Sequence, residues 1–150
     1  FCLSKGLGAP VGSMVVSSRE LIKEGLRARK QFGGGMRQAG ILAAAGLYAL
    51  EHNLDLLAED HARAKRLAEG LANMSGVDLD PAHVETNIIV LDVASSGMSA
   101  LEVEIALKEV GVLSLAIGPT ALRLVTYLHI DDSDIDPALK GLAKVLDRAG

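Results

Sequence analysis

The sequence predicts an α/β protein with an open sheet. Segments of helical period and strand-like segments alternate through the last two-thirds of the chain, the pattern of helices laid on a sheet. Apolar residues make up 49% of the 150 residues and the mean hydropathy is +0.30, so much of the chain expects burial.

The elements follow in order. Phe1-Cys2-Leu3 opens the chain with no polar lead-in, as though entering mid-strand, which predicts a piece of a longer protein. Met14 to Ser17 is a short β-branched run between Gly12-Ser13 and Ser17-Ser18, and predicts a buried strand. Ser18-Arg19-Glu20-Leu21 puts a capping serine and an acid at the start of a helix running to Phe32. Gly33-Gly34-Gly35 breaks it. A second helix is expected from about Met36 to His52, its small residues from Ala39 to Gly46 packing against a sheet or a second subunit. A third, begun by Asn53 and running from Leu54 to Met74, puts Leu54, Leu57, His61, Ala64, Ala68 and Leu71 on one stripe. Glu59, Asp60, Arg63, Lys65 and Arg66 mostly take the opposite face.

Beyond Ser75-Gly76 the pattern changes. Asn87 to Val93 reads as a strand, Ser99 to Val110 as a helix, and Leu113 to Ile117 and Leu122 to Leu128 as strands. Asp134 to Arg148 closes the chain as an amphipathic helix with Ile135, Leu139, Leu142 and Leu146 inward. A domain boundary is expected near residue 54, with residues 1–53 the tail of a larger domain and 54–150 a compact α/β lobe.

Charge and composition exclude several function classes. Fifteen Lys+Arg against nineteen Asp+Glu leave a net charge of −4, with no electrostatic footprint for nucleic acid or an anionic membrane. Aromatic content of 3% with no Trp provides no base-stacking platform. The single cysteine, Cys2, excludes an internal disulfide and a multi-cysteine zinc site, and reads as a buried small hydrophobe. No run approaches the roughly 18 to 20 apolar residues of a membrane helix. The longest uncharged stretch, Gln38 to Leu50, reads as a buried core helix. No basic segment precedes an apolar stretch and a cleavage site, so a reduced, cytoplasmic setting is expected. His52, His61 and His83 lack metal-ligand spacing, and His61 reads as packed or interfacial.

The densest local signal is Ser4-Lys5-Gly6-Leu7-Gly8-Ala9-Pro10-Val11-Gly12-Ser13, a lysine at the end of a short strand in a loop held open by three glycines and a proline. Lysine is the amine that forms Schiff bases with carbonyl cofactors, and flanking glycines let a ring approach the backbone. On spacing alone a lone lysine in a glycine-rich turn reads as a solvated residue. The dinucleotide fingerprint fails, because the glycines do not form GxGxxG directly after a strand; the Walker pattern fails for want of Gly-Lys-Ser/Thr. The serine-lysine hydrolase pattern fails because Ser4 directly precedes Lys5. Arg123 lies inside the apolar run Leu122-Arg123-Leu124-Val125. Period-2 alternation places it with Val125 on one face and Leu122, Leu124 and Thr126 on the other. It needs an anionic partner there, or it faces water at a sheet edge.

These segments resemble the low-specificity and L-allo-threonine aldolases, pyridoxal 5'-phosphate (PLP) enzymes of the aspartate aminotransferase-like fold type I. Cys2 to Ser13 is similar to that family's cofactor-lysine region, and Gly33 to Ala45 to its next motif at the right distance. Glu59-Asp60-His61, Thr86-Asn87 and Leu122 to Thr126 extend the likeness over nearly the whole chain, which covers only the family's C-terminal part. The resemblance implies the tail of the large domain followed by the small α/β domain. It implies that Lys5 carries PLP, that Lys30 and Arg37 reach the cofactor phosphate from a neighbouring subunit, and that Arg123 binds the substrate carboxylate.

The helix start after the triple glycine suits an anion at Arg37, whose bland alternative is a solvated arginine. Lys30 lies in the basic cluster Arg27-Ala28-Arg29-Lys30, where Arg27 and Arg29 read as a wet helix face. The family commonly reads Thr-His-Leu-Asp where this chain has Thr126-Tyr127-Leu128-His129, so no role is assigned to Tyr127 or His129. The implied reaction cleaves L-threonine or L-allo-threonine to glycine and acetaldehyde in a homodimer or homotetramer, with the missing acid and base upstream. The alternatives are transamination or β-elimination on the same fold, or a non-catalytic truncated piece.

Overall fold

The computed structural model describes residues 1–146. Its backbone follows the helical and strand periods closely in the second half of the chain and less closely in the first. Two units are distinguished, Phe1–Leu56 and Leu57–Gly150.

In the first unit, Ser18 caps α1 (Arg19–Gln31) as expected, its hydroxyl accepting from the Leu21 N–H at 3.3 Å. The second helix, α2, spans Gly40–His52, with Asn53 as its C-cap. It begins later than Met36 because Met36 to Ala39 form an irregular segment and turn with no capping side chain. Met14 to Ser17 form no strand. Met14 exchanges two backbone hydrogen bonds with Phe1, its N–H donating to the Phe1 carbonyl at 2.7 Å and its carbonyl accepting from the Phe1 ammonium at 2.9 Å, but Val15 and Val16 are exposed and no ladder continues past Met14 among the described residues. A β-branched run makes a strand only where a ladder receives it. Phe1 to Leu3 are likewise no strand, only an isolated bridge of Cys2 to Ser13. Cys2 itself is exposed, with its Sγ 3.6 Å from the Ser13 Oγ. α2 is not a buried core helix: Gly46 and Ala49 are buried, whereas Ile41, Leu47 and Tyr48 are exposed.

The second unit is a two-layer α/β arrangement. Three strands, β1 (Ile88–Asp92), β2 (Leu115–Ala116) and β3 (Ala121–Val125), form an antiparallel sheet in the order β1-β3-β2. The β1–β3 register sets Val90 opposite Arg123 and Asp92 opposite Ala121, and β2 sets Leu115 opposite Arg123. Ile89, Leu91, Leu122 and Leu124 are buried on one face. They share a core with Ala64, Leu67 and Leu71 of α3 (Leu56–Leu71), Val103 and Leu107 of α4 (Ala100–Glu109), and Ile135, Leu142 and Leu146 of α5 (Asp132–Leu146). Ser99 and Glu102 cap α4 reciprocally.

α3 is shorter than its period predicts, and its buried stripe is rotated: Asp60, expected outside, is buried, and His61, expected inside, is exposed. Packing against the sheet decides the stripe. The Thr126 hydroxyl donates to the Asp60 carbonyl at 2.7 Å, which draws that turn of α3 inward. The three strands are shorter than their apolar runs, because residues beyond the ladder have no partner strand. α5 begins at Asp132, earlier than expected, and its expected end at Arg148 lies outside the described residues.

Candidate functional site

Lys5 stands on a loop that its own backbone closes. The Leu3 N–H donates to the Gly12 carbonyl at 2.9 Å and the Ala9 N–H to the Leu3 carbonyl at 3.0 Å. A tight turn then forms as the Gly8 N–H donates to the Lys5 carbonyl at 2.8 Å, with Gly8 at φ +70°, where a Cβ would be strained. Leu3, Leu7 and Ala9 turn inward and are buried, the Leu7 carbonyl taking the Asn53 side-chain amide at 2.8 Å. The loop is therefore anchored on both sides of Lys5, which is exposed at the bend between Leu3 and Leu7. It is a loop residue and not the end of a strand.

The triple glycine shapes a second local feature of the same unit. The Gly34 N–H donates to the Arg29 carbonyl at 2.8 Å, and a Cβ on Gly34 would lie 2.7 Å from the Arg29 Cγ and 3.0 Å from the Arg29 carbonyl oxygen. Only glycine allows that approach. A Cβ on Gly35 would lie 3.4 Å from Lys30 Nζ, so the ammonium is brought against the Gly35 backbone. Arg37 is exposed in the turn that leads into α2, a helix start with no side-chain cap. Lys30 and Arg37 thus flank one glycine-lined segment ahead of a helix whose leading N–H groups lack a capping acceptor, a donor set suited to a phosphate.

Arg123 belongs to the second unit. It sits at the centre of β3, on the sheet face away from the helices, flanked by Val90 and Leu115 on its two neighbours. Its Nε is buried without a hydrogen-bond partner, and its guanidinium makes no ion pair among the described residues. The alternation expected from the sequence is the one observed. A guanidinium left with a buried unpaired donor between Val90 and Leu115 is suited to receive a carboxylate.

A cavity of about 460 Å³ opens elsewhere in the second unit, lined by Val112, Leu124, Thr126, Tyr127, Ile130 and Leu142 among others, and contains none of Lys5, Lys30, Arg37 or Arg123. Sequence reasoning missed two polar contacts near the candidate site. Thr126 and Asn87 bracket one end of the β1–β3 ladder, the Asn87 side-chain amide donating to the Thr126 carbonyl at 2.8 Å. Thr120 and Asp92 bracket the other, the Thr120 hydroxyl donating to Asp92 Oδ2 at 2.7 Å. Polar residues flanking two apolar strand runs are the only local sign of either.

No described helix is long and apolar enough to cross a membrane, and no described cluster of His, Cys, Asp and Glu could hold a metal ion. Residues 1–94 match the family model described as beta-eliminating lyase. Low-specificity L-threonine aldolase 1 of Arabidopsis thaliana is 46% identical over 135 residues, covering 89% of this chain and 38% of the plant protein. The low specificity L-threonine aldolase of Escherichia coli K12 is 44% identical over 129 residues, covering 86% of this chain and 37% of its relative. The chain spans about two fifths of the length of the curated relatives it matches. Among solved structures, 8-amino-7-oxononanoate synthase from Francisella tularensis superimposes with a TM-score of 0.67 at 19% identity, over 97% of this chain and 44% of that one. A transaminase solved with L-alanine gives a TM-score of 0.62 at 20% identity, over 87% of this chain and 35% of that one. The fold is that shared by these enzymes, fold type I.

Proposed function

The chain belongs to the beta-eliminating lyase family, and on that premise we propose that it acts, within a longer polypeptide, as part of a PLP-dependent aldolase. The substrates are L-threonine and L-allo-threonine, the products glycine and acetaldehyde, and the setting is a cytoplasmic homo-oligomer whose sites are shared between subunits. One observation carries the reading: relatives 42–46% identical over most of this chain are named low-specificity L-threonine aldolases.

The residues present fit the cofactor. Lys5 offers an exposed primary amine beside Gly6, and Lys30 and Arg37 offer two cations on either side of the Gly33–Gly35 segment, with Lys30 Nζ against the Gly35 backbone. PLP, when bound, supplies a carbonyl for amines and a ring that accommodates negative charge at the substrate Cα. Lys5 would hold it through its side-chain amine, and Lys30 and Arg37 would neutralise its phosphate. Arg123 orients the amino acid by its carboxylate, which fixes the bond that breaks. In this reading residues 1–53 close the large cofactor-binding domain and residues 54–150 form the small one.

Borohydride reduction of the PLP-loaded protein followed by peptide mapping should place the pyridoxyl group on Lys5. Recovery of the label on Lys30 overturns the assignment. The family's own description favours a second reading, β-elimination. Glycine release from threonine supports the aldolase; keto-acid release in its place supports the lyase.

A further inference from the structure

We propose that Thr120 is a positioning residue for Arg123: its hydroxyl holds the Asp92 carboxylate away from the guanidinium and so keeps Arg123 open to a substrate carboxylate. The inference rests on the reading of Arg123 as the residue that binds that carboxylate.

Asp92 and Arg123 are neighbours by register. Val90 pairs with Arg123 and Asp92 with Ala121, so Asp92 stands diagonally from Arg123 across the β1–β3 pair. Alternation puts Val90, Asp92 and Arg123 on the same sheet face. Diagonal cross-strand positions lie about 7–8 Å apart, within reach of a long side chain. An acid there is a competitor for the cation, tethered at high effective concentration.

No ion pair between them exists, because both carboxylate oxygens of Asp92 are engaged elsewhere. Oδ1 accepts the Ala94 N–H at 2.7 Å and Oδ2 accepts the Thr120 hydroxyl at 2.7 Å. Thr120 is itself fixed, since its carbonyl accepts the Val93 N–H at 2.9 Å. The Ala94 N–H and the Thr120 hydroxyl also hold the Asp92 carboxyl below its ordinary range, so it stays charged and would attract the guanidinium if released. Its retention at the turn leaves the Arg123 Nε without a partner.

The test uses two readouts on the enzyme. The Arg123 Nε–H resonance is followed by NMR through the carboxylate titration range, about pH 3 to 6. Thr120→Val should make it move with Asp92 titration, whereas wild type and Thr120→Ser should not. In the enzyme, Thr120→Val should raise the KM for threonine about two- to fivefold, the size of a cross-strand ion pair, with kcat nearly unchanged. The double variant Thr120→Val/Asp92→Asn should return KM to wild type, and Thr120→Ala should repeat the pattern if valine disturbs folding. A KM defect that Asp92→Asn does not rescue, or a wild-type KM and an unmoved resonance in Thr120→Val, overturns the proposal. If Arg123→Ala leaves KM unchanged while the Arg123 resonance still shifts in Thr120→Val, the fault lies in the role given to Arg123, not in the restraint on Asp92.

Discussion

The Arg63 guanidinium stands 3.5 Å from the carboxylate of Asp60, whose side chain is 1% exposed and whose two oxygens have no hydrogen-bond donor among the described residues. Burial raises the Asp60 carboxyl above its ordinary value of 3.8, and Arg63 and His61 beside it act in the opposite sense. The native state therefore binds the proton more tightly than the unfolded chain. Asp60 contributes full stability below its unfolded value, and that contribution is lost as pH rises towards the native value. Arg63 retains Glu59 at 2.9 Å and Asp132 at 3.6 Å, so it does not depend on Asp60 for a counter-charge. Asp60→Asn should stabilise the chain at pH 7 by about 1 kcal/mol, or roughly 2–4 °C in Tm, and remove this fall in stability above pH 4 or so. Thermal melts at several pH values check it; a variant less stable than wild type at pH 7 would show that attraction to Arg63 outweighs burial.

A glycine in α5 sets a second expectation. A Cβ on Gly141 would lie 2.8 Å from Val112 Cγ2 and 3.4 Å from Val110 Cγ2. Both neighbours are β-branched and have little rotamer freedom. Alanine gains about 1 kcal/mol of helix propensity, but overpacking costs about 1–3 kcal/mol. Gly141→Ala should therefore destabilise by up to about 2 kcal/mol, and Val112→Ala in the same chain should relieve the clash. Gly25 in α1 is the control, since nothing lies within 4 Å of its Cβ position. Gly25→Ala should stabilise by about 0.5–1 kcal/mol. Urea unfolding compares the variants, and equal effects at the two glycines would sink the packing argument.

What was legible in the sequence was local. Ser18 at the head of α1 needs only its own first turn to cap, and period-2 alternation placed Arg123 with Val125 because a strand faces two ways whatever its neighbours. What was not legible depended on partners. Met14 to Ser17 has the composition of a strand, yet its pairing stops at the two Met14–Phe1 hydrogen bonds and no ladder among the described residues takes up Val15 and Val16. Asp60 is polar and reads as solvent-facing, but Thr126, far away in sequence, binds its carbonyl and buries that turn. The same holds at the candidate site. Lys5 was visible from its glycines, whereas the restraint of Asp92 by Thr120 arises only when β1 and β3 are paired.

The substrate-binding role of Arg123 makes a quantitative prediction. Arg123→Ala should leave PLP bound and weaken the amino acid, because the residue is proposed to meet the carboxylate alone. Losing a charge-assisted pair costs about 1.5–3 kcal/mol, roughly 10- to 150-fold in kcat/KM. Arg123→Lys should recover only part, since an ammonium lacks the planar fork. Cofactor absorbance together with steady-state kinetics on threonine gives the answer. Wild-type kcat/KM in Arg123→Ala would make the residue structural.

The 150-residue chain by itself should lack aldolase activity. Lys5 is exposed on its loop, and water around a reacting amine leaves it without the preorganised surroundings that speed such chemistry. The resemblance assigns none of these 150 residues as the acid that pairs with the cofactor ring nitrogen or the base that takes the β-hydroxyl proton. Without the base, proton removal falls to solvent, which forfeits about 10²- to 10⁴-fold from that step alone. The first unit also leaves Phe32 at 92%, Val16 at 82% and Ile41 at 79% exposure, apolar surface that favours self-association over an ordered site. Purified chain is incubated with PLP and threonine, and acetaldehyde release is compared with PLP alone at equal concentration. Rates should coincide, and light scattering should rise with protein concentration. Turnover well above that of free PLP would show that these 150 residues hold a competent site, and that Lys5, Lys30, Arg37 and Arg123 need no further residues to run the cleavage.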